Sequence, residues 1–370
     1  MPQYIKDSEI FNIDISKTLG NVKILRLLET ASRYIGEVNN IVSNTLEFDF
    51  IIVALKNIEA LNSAKIEGTT GNLKDLYLEK SLDFEKKKQL KLFSAVNYKT
   101  VMTRLEEIMQ AHNRIDIPLL HKLHKLLTEN DPATNGVPGK FRTKEVIIRN
   151  SKLGDFWPIH PLKINECMKV FVDQISEKTE FPSLLQAAIL HYQFEAIHPF
   201  EDGNGRTGRL LIIANLLTNK TIKTAILNLS QHFDLHRDEY LYSLRSVSDS
   251  LDYETWISFF LNALIEQCKH NINLIEDLRK LKEEDELLIN ESTRSPAAQP
   301  ILNHALNQLY ITTSDTVEFL KNKRLKGDLS QIARNNIKRL VQLGILEKTL
   351  VKRGRAETYV HSKLKRKLTH

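Results

Sequence analysis

The sequence predicts a mainly α protein, and three observations carry that expectation. Apolar residues recur at helical spacing along most of the chain, prolines are absent from 24 to 92, and strand-like runs are confined to two short stretches. At 370 residues and 42% hydrophobic composition the chain can bury a full core, with length for two or three domains.

Taken in order, residues 1–110 read as an N-terminal helical region, with Ile51, Ile52, Leu55, Ile58, Ala60 and Leu61 at helical spacing. A lysine-rich stretch, Glu85 to Lys91, leads into a helix from Ala95 to Gln110. Pro118 opens another, PLLHKLHKLLTEN, closed by Asp131 and Pro132. Between Asn135 and Pro161 the chain turns dense in Gly and Pro around the run Val146 to Ile148, which predicts a short hairpin at about 136–161. Helices resume at Leu162–Ser176 and Ser183–Ala196. The loop HPFEDGNG follows at 198–205, then a buried helix from Arg206, then helices over Arg237–Ser248 and from Tyr253 to about Asn290.

STRSPAAQP, at 292–300, reads as a linker. Beyond it, residues 296–370 predict helices at Ala297–Tyr310, Ser314–Lys321 and Leu329–Leu343, then a hairpin over 345–360 with its turn at Arg353 and Gly354. Three helices and a hairpin in this order look like a winged helix. This tail holds fifteen Lys/Arg against five Asp/Glu, so of the net +6 it carries +10 and the first 295 residues carry −4. The basic surface suits an anionic partner such as DNA, through phosphate contacts from Arg334, Lys338 and Arg339; a protein partner is equally open.

Several classes are excluded. No apolar run approaches the ~20 residues that span a bilayer, and MPQYIKDSEI lacks a basic segment followed by an apolar one, so the expectation is a cytoplasmic protein without a membrane partner. Cys167 and Cys268 stand far apart outside any metal-binding spacing and read as buried thiols. No GxxxxGK[ST] occurs, so this is not a P-loop enzyme.

The chemistry is concentrated at 198–209, HPFEDGNGRTGR. Gly203 and Gly205 permit close backbone approach, so the loop can turn N–H groups inward beside the free N–H groups of the next helix, a seat for phosphates. Arg206 and Arg209, three apart, are expected to share a face and reach one polyphosphate, although positive charge there opposes the macrodipole. Asp202 supplies a hard oxygen for magnesium. His198 is the side chain in the loop able to accept a proton near neutrality, and Phe200 pins the loop into the core. These parts suit in-line attack of a hydroxyl on phosphorus.

The segment matches the Fic family motif, HxFx[DE]GN[GK]RxxR, at every specified position. PGKFR at 138–142 and the expected hairpin resemble the family's flap, which clamps a target segment. Arg237 to Leu244 and Trp256 to Phe260 resemble its RxxYxxxL and WixFF stretches. The resemblance implies a Fic-type helical core with a small β-hairpin flap, filling 111–291 between the N-terminal helical region and the winged-helix domain. It implies a magnesium- and ATP-dependent protein adenylyltransferase that moves AMP to a Ser, Thr or Tyr hydroxyl and releases pyrophosphate. His198 is then the base and Asp202 the metal ligand. Gly203, Asn204 and Gly205 cradle the α- and β-phosphates, Arg206 supports them, Arg209 grips the γ-phosphate, and Thr207 and Gly208 complete the nucleotide-binding segment. Tyr240 is the residue chosen for an adenine contact.

Ser63 to Gly68 resembles the family's inhibitory-helix motif, [ST]xxxE[GN], in which the glutamate pairs with the second arginine. A Glu67 carboxylate on Arg209 would occupy the γ-phosphate grip, so ATP could bind only in a poor orientation for attack. Some members with this arrangement also remove AMP. His121, His124 and His191 lie on helices without matching partners and read as structural. Transfer of another nucleotide or a phosphate, and a nucleotide-sensing DNA-binding regulator, are the rival readings. The target protein and the assembly state, homodimer included, are left open.

Overall fold

Apolar periodicity becomes a succession of helices in the computed structural model, which describes residues 4–11, 18, 20–43, 49–176, 181–353 and 356–369. Residues 1–3 of the opening segment and Gly354 of the expected C-terminal turn lie outside these. The N-terminal region forms α1 (Asp7–Phe11), α2 (Val22–Ser43), α3 (Asp49–Ile66), α4 (Leu73–Tyr77), α5 (Phe84–Gln89) and α6 (Phe93–His112). The lysine-rich stretch is thus itself a short helix, started by the Asp83 carboxylate accepting from the Lys86 N–H. α7 (Ile117–Thr128) begins where the Asp116 side chain accepts from Leu119 N–H, with Pro118 in its first turn.

α8 (Ile164–Ser176), α9 (Ser183–Ile197) and α10 (Asn204–Thr218) follow. α9 and α10 are buried nearly all round, polar residues included, and they pack against each other at the centre of the chain. Around them lie α11 (Leu229–Leu235), α12 (Arg237–Ser250) and the long α13 (Tyr253–Ser292). The Trp256 indole is wholly buried and donates to the Ala188 carbonyl of α9 at 2.8 Å. On α3, the buried Glu59 accepts from Ser230 N–H at 3.0 Å and from its hydroxyl, tying α3 to the start of α11. Cys167 and Cys268 are free, buried thiols.

The hairpin expected at about 136–161 is reduced to a single antiparallel bridge. Ile148 and Phe156 exchange N–H···O bonds of 3.0 and 2.9 Å, and no strand ladder extends it. Gly154 (φ +77°) and the prolines at 158 and 161 leave too little alternating chain for more. α10 likewise starts at Asn204, two residues before the expected Arg206, because Gly203 takes the N-cap.

The C-terminal module runs α14 (Ala298–Gln308), β1 (Tyr310–Thr312), α15 (Thr313–Asn322), α16 (Leu329–Gln342), β2 (Leu346–Arg353), β3 (Ala356–His361) and α17 (Ser362–Thr369). Its antiparallel sheet has the order β1-β3-β2, pairing Tyr310 with Val360 and Leu346 with His361. Three helices and a β-hairpin thus follow in the expected order, and β1 and α17 add to them. The module is not loosely tethered. His361 Nε2 lies 2.7 Å from Asp285 Oδ2 of α13 with both side chains fully buried, and α14 packs on α3. No helix among the described residues is long and apolar enough to cross a membrane.

Candidate active site

The turn between α9 and α10 is bracketed by two left-handed residues, His198 (φ 50°, ψ 61°) and Gly203 (φ 75°, ψ 8°). For Gly203 this conformation costs little; for His198 it stores about 1 kcal/mol or more and needs surrounding support. Arg142 provides it. Its Nε donates to the His198 carbonyl at 2.7 Å, its Nη2 to the Ile159 carbonyl at 2.6 Å, and its backbone N–H to Pro199 O at 2.8 Å.

Phe200 is fully buried and stacks on His124, with centroids 3.7 Å apart. The His124 Nδ1 accepts from Gly139 N–H at 2.8 Å, so its Nε2–H donates to the Asp202 carbonyl at 2.9 Å. Burial pushes this imidazole down to about 4, keeping it neutral in that double role. His124 therefore braces the catalytic turn. Its partners, 15 and 78 residues away, left no trace in the local pattern.

Within 203–209 the side chains divide by direction. Asn204 spends its amide on Phe200, accepting from the N–H and donating to the carbonyl, both at 2.9 Å. Thr207 donates to Gly203 O at 2.8 Å, and Gly208 abuts the Glu195 carboxyl on α9. These three face the interior, so any phosphate contact from them is through backbone. Arg206 also departs from expectation. It is buried toward α7, with Nη1 3.5 Å from Asp131 and 3.4 Å from Leu127 O, and its Nη2 stands 3.7 Å from Asp202. The two guanidinium groups do not share one face; Arg206 orients the Asp202 carboxylate from beneath.

Arg209 turns the other way, toward α3. Its Nη2 donates to Glu67 Oε1 at 2.8 Å and to Ser63 O at 3.0 Å, and its Nε donates to Ser63 Oγ at 2.9 Å. Burial opposes ionisation of Glu67, but the adjacent Arg209 outweighs it and holds the carboxyl below its usual range. At Gly205 an added Cβ would collide with Glu67 Oε1 and crowd Arg209 Nη1, so the glycine is required for this approach. Arg237 of α12 donates to Ile66 O at 2.6 Å, a second hold on the end of α3 that the RxxYxxxL likeness could have signalled.

A cavity of about 420 Å³ opens here, lined by Glu67, Ile148, His198, Gly205, Arg209 and Tyr240 among others. Tyr240 is a buried wall, its ring stacked 4.6 Å from Phe233 and its hydroxyl 2.7 Å from His191 Nε2. Burial, reinforced by Arg142, pulls His198 down to about 4, so the imidazole is neutral, with one ring nitrogen unprotonated, across the physiological range. Asp202 is partly exposed, at 32% for its side chain. Its Oδ2 accepts from Asn135 N–H at 3.1 Å and its Oδ1 from Gly203 N–H. Among the described residues no group of three or more His, Cys, Asp or Glu is arranged to hold a metal ion. A single accessible carboxylate fits magnesium, which completes its shell with phosphate oxygens and water.

Fold and turn define a Fic-type helical protein. The Fic/DOC family model matches residues 114–216 and the Fic/DOC N-terminal model residues 25–104. Both matched segments, 25–104 and 114–216, are thus of Fic/DOC type. It is 33% identical over 108 residues to the protein adenylyltransferase fic-1 of Caenorhabditis elegans, covering 28% of this chain and 20% of that one. It is 30% identical over 113 residues to a probable protein adenylyltransferase of Aquifex aeolicus, covering 30% and 32%. The match thus spans a third or less of either relative's length. Among solved structures, a Fic family protein from Desulfovibrio desulfuricans G20 shares the fold at TM-score 0.60 and 19% identity, over 92% of this chain and 96% of that one. Residues 134–508 of C. elegans Fic-1 align at TM-score 0.53 and 19% identity, over 70% and 75%.

Proposed function

We propose that this chain transfers AMP from ATP to a hydroxyl side chain of a target protein, with Glu67 as a built-in restraint. The observation that carries the reading is the Glu67–Arg209 contact of 2.8 Å inside a cavity that also presents His198 and Gly205. An arginine exposed to only 2% at the wall of this cavity suits a polyphosphate anchor, and the carboxylate on it would then stand where a third phosphate would sit. The names of the curated relatives point the same way.

His198 Nε2 takes the proton of the target hydroxyl as its oxygen forms a bond to the α-phosphorus. The bond from that phosphorus to the bridging oxygen breaks, and pyrophosphate leaves with the electron pair. Backbone N–H groups at the start of α10 stabilise the phosphate charge. Magnesium held by Asp202 would neutralise further charge on the polyphosphate. The bridged loop 148–156, at the rim of the cavity, is the surface on which a target segment would lie.

Labelled ATP, UTP and GTP with wild type and Glu67→Gly test this reading. Incorporation of AMP that His198→Ala abolishes supports it; transfer of another group or none replaces it. A DNA partner has one observation in its favour, the exposed Arg334 and Lys338 on one side of α16. Arg339 is spent on the Ser292 carbonyl and does not contribute. A gel shift with random duplex DNA tests that partner separately.

A further inference from the structure

Two buried polar side chains lie side by side behind the turn, each with an atom that lacks a partner. His198 Nδ1 and Glu195 Oε1 make no hydrogen bond among the described residues, and the other carboxyl oxygen, Oε2, lies 3.8 Å from Nδ1. Neighbouring polar groups left without partners are costly in a core, so such a pair calls for a role. Glu195 sits on the last turn of α9, three residues before His198, and its carboxyl is wedged against Gly208 of α10. An added Cβ at Gly208 would collide with it. The mechanism above makes no use of this group, although it lines the same cavity.

We infer that Glu195 is a positioning residue whose carboxyl accepts the Nδ1–H of His198, selecting the tautomer that leaves Nε2 bare to receive the target's proton and steadying the imidazolium that results. The inference rests on the reading of His198 as the base. A neutral imidazole carries its proton on one nitrogen, and only the Nδ1–H form can act as a base through Nε2. Closing the gap to hydrogen-bonding distance requires a shift of about 1 Å, within the reach of a glutamate's torsions. A carboxyl offers an acceptor oxygen whether or not it is ionised, so the role persists through its titration.

The electrostatics agree. Burial pushes the Glu195 carboxyl up to about 8 against the pull of Arg209, and Glu67 adds to the rise. Burial and Arg142 hold His198 down, opposed by the main-chain carbonyl of Glu195, by Glu67 and by Asp202. Tyr240 faces the carboxyl from α12. Near neutrality the two groups therefore stand as a carboxylic acid beside an uncharged imidazole. The main-chain carbonyl of Glu195 is the competing acceptor for Nδ1–H, and side-chain substitutions separate the two because they leave that carbonyl in place.

The test uses the full chain carrying Glu67→Gly, labelled with ¹⁵N, with the His198 signals assigned by their loss in His198→Asn. Long-range ¹H–¹⁵N spectra are expected to give a protonated Nδ1 and a bare Nε2. Glu195→Met, which keeps an unbranched chain, should convert these to a mixture of tautomers and lower kcat for AMP incorporation about tenfold, with KM for ATP within about twofold. Glu195→Gln, which retains an acceptor oxygen, should restore both readouts to within about threefold. Glu195→Ala replaces the Met variant if that chain does not fold. A proton on Nε2 in the parent, or spectra unchanged by loss of the carboxyl, would overturn the assignment. If the tautomer responds as stated while no variant transfers AMP, the pairing stands and the adenylyl-transfer reading fails.

Discussion

Glu67 Oε1 and Arg209 Nη2 meet at 2.8 Å across 142 positions of sequence, joining the end of α3 to the start of α10. Arg209 is nearly inaccessible, whereas the Glu67 side chain is 37% exposed. On the proposed function, Arg209 is the anchor and Glu67 the restraint on it. Glu67→Gly should therefore raise AMP incorporation roughly tenfold or more without weakening ATP binding measured by calorimetry. Equal incorporation by the two chains would remove the restraint from the account.

Ser63 holds the same guanidinium through its hydroxyl at 2.9 Å and its carbonyl at 3.0 Å. Ser63→Ala deletes only the first bond, worth about 1 kcal/mol, and leaves Glu67 in place. Incorporation should rise about two- to fivefold, less than for Glu67→Gly, in the same assay. A rise as large as that of Glu67→Gly would show that the hydroxyl, not the carboxylate, carries the restraint.

A base must be unprotonated, and burial places the His198 transition near 4. In the Glu67→Gly background, transfer should stay level as pH falls from 8 to about 5.5 and be lost only nearer 4. A limb centred near 6.5 would mean an ordinary solvated imidazole.

Stability should follow pH with a maximum near 6.5. Folding raises the Glu59 and Glu195 carboxyls to about 7 and 8, so their contribution, complete below about 4.5, is lost as pH rises through those values. Folding lowers His124, His191, His198 and His232 to about 4, 3, 4 and 4, so theirs is present above about 6.5 and lost as pH falls. Thermal midpoints at pH 5, 6.5 and 8 check the sign, and a monotonic series would contradict it.

Arg142 donates to the carbonyls of His198, Ile159 and Lys144 from a site exposed to only 4%. Arg142→Met keeps the stem and removes every guanidinium donor. It should lower stability by about 3 kcal/mol in urea titrations and release His198 from its left-handed conformation, reducing transfer as well.

His361→Phe strands the Asp285 carboxylate in a fully buried position. The expected cost is about 3 kcal/mol, seen as a lower urea midpoint for the C-terminal module. Early cleavage near 293–297 in limited proteolysis would accompany it.

The motif from His198 to Arg209 was readable because its chemistry rests on residue types at fixed local spacing, and the contact between Glu67 and Arg209 followed from a second local pattern. The directions of side chains were not. Arg206 and Arg209 stand three apart, yet one is taken by Asp131 and Leu127 O and the other by Glu67 and Ser63. Asn204 closes onto Phe200 instead of opening toward the cavity. Arg142 and His124 act on backbone 56 and 78 residues away, and no periodicity encodes such distances. The hairpin expected at about 136–161 comes down to one bridged pair, Ile148 and Phe156, because a β-branched triplet does not specify how far a partner strand extends. In the tail, three helices and a hairpin were legible, while the three-residue β1 was too short to announce itself.

Helix α13 is unbroken for 40 residues, about 60 Å of rise. Trp256 fastens one end beneath the catalytic pair of helices and Asp285 fastens the other to His361. A rod of that length is a lever arm, on which a tilt of one degree at the tip becomes a displacement of about 1 Å at the far end. The C-terminal module thus meets the rest of the chain at two separate places, the far end of α13 and, through α14, helix α3.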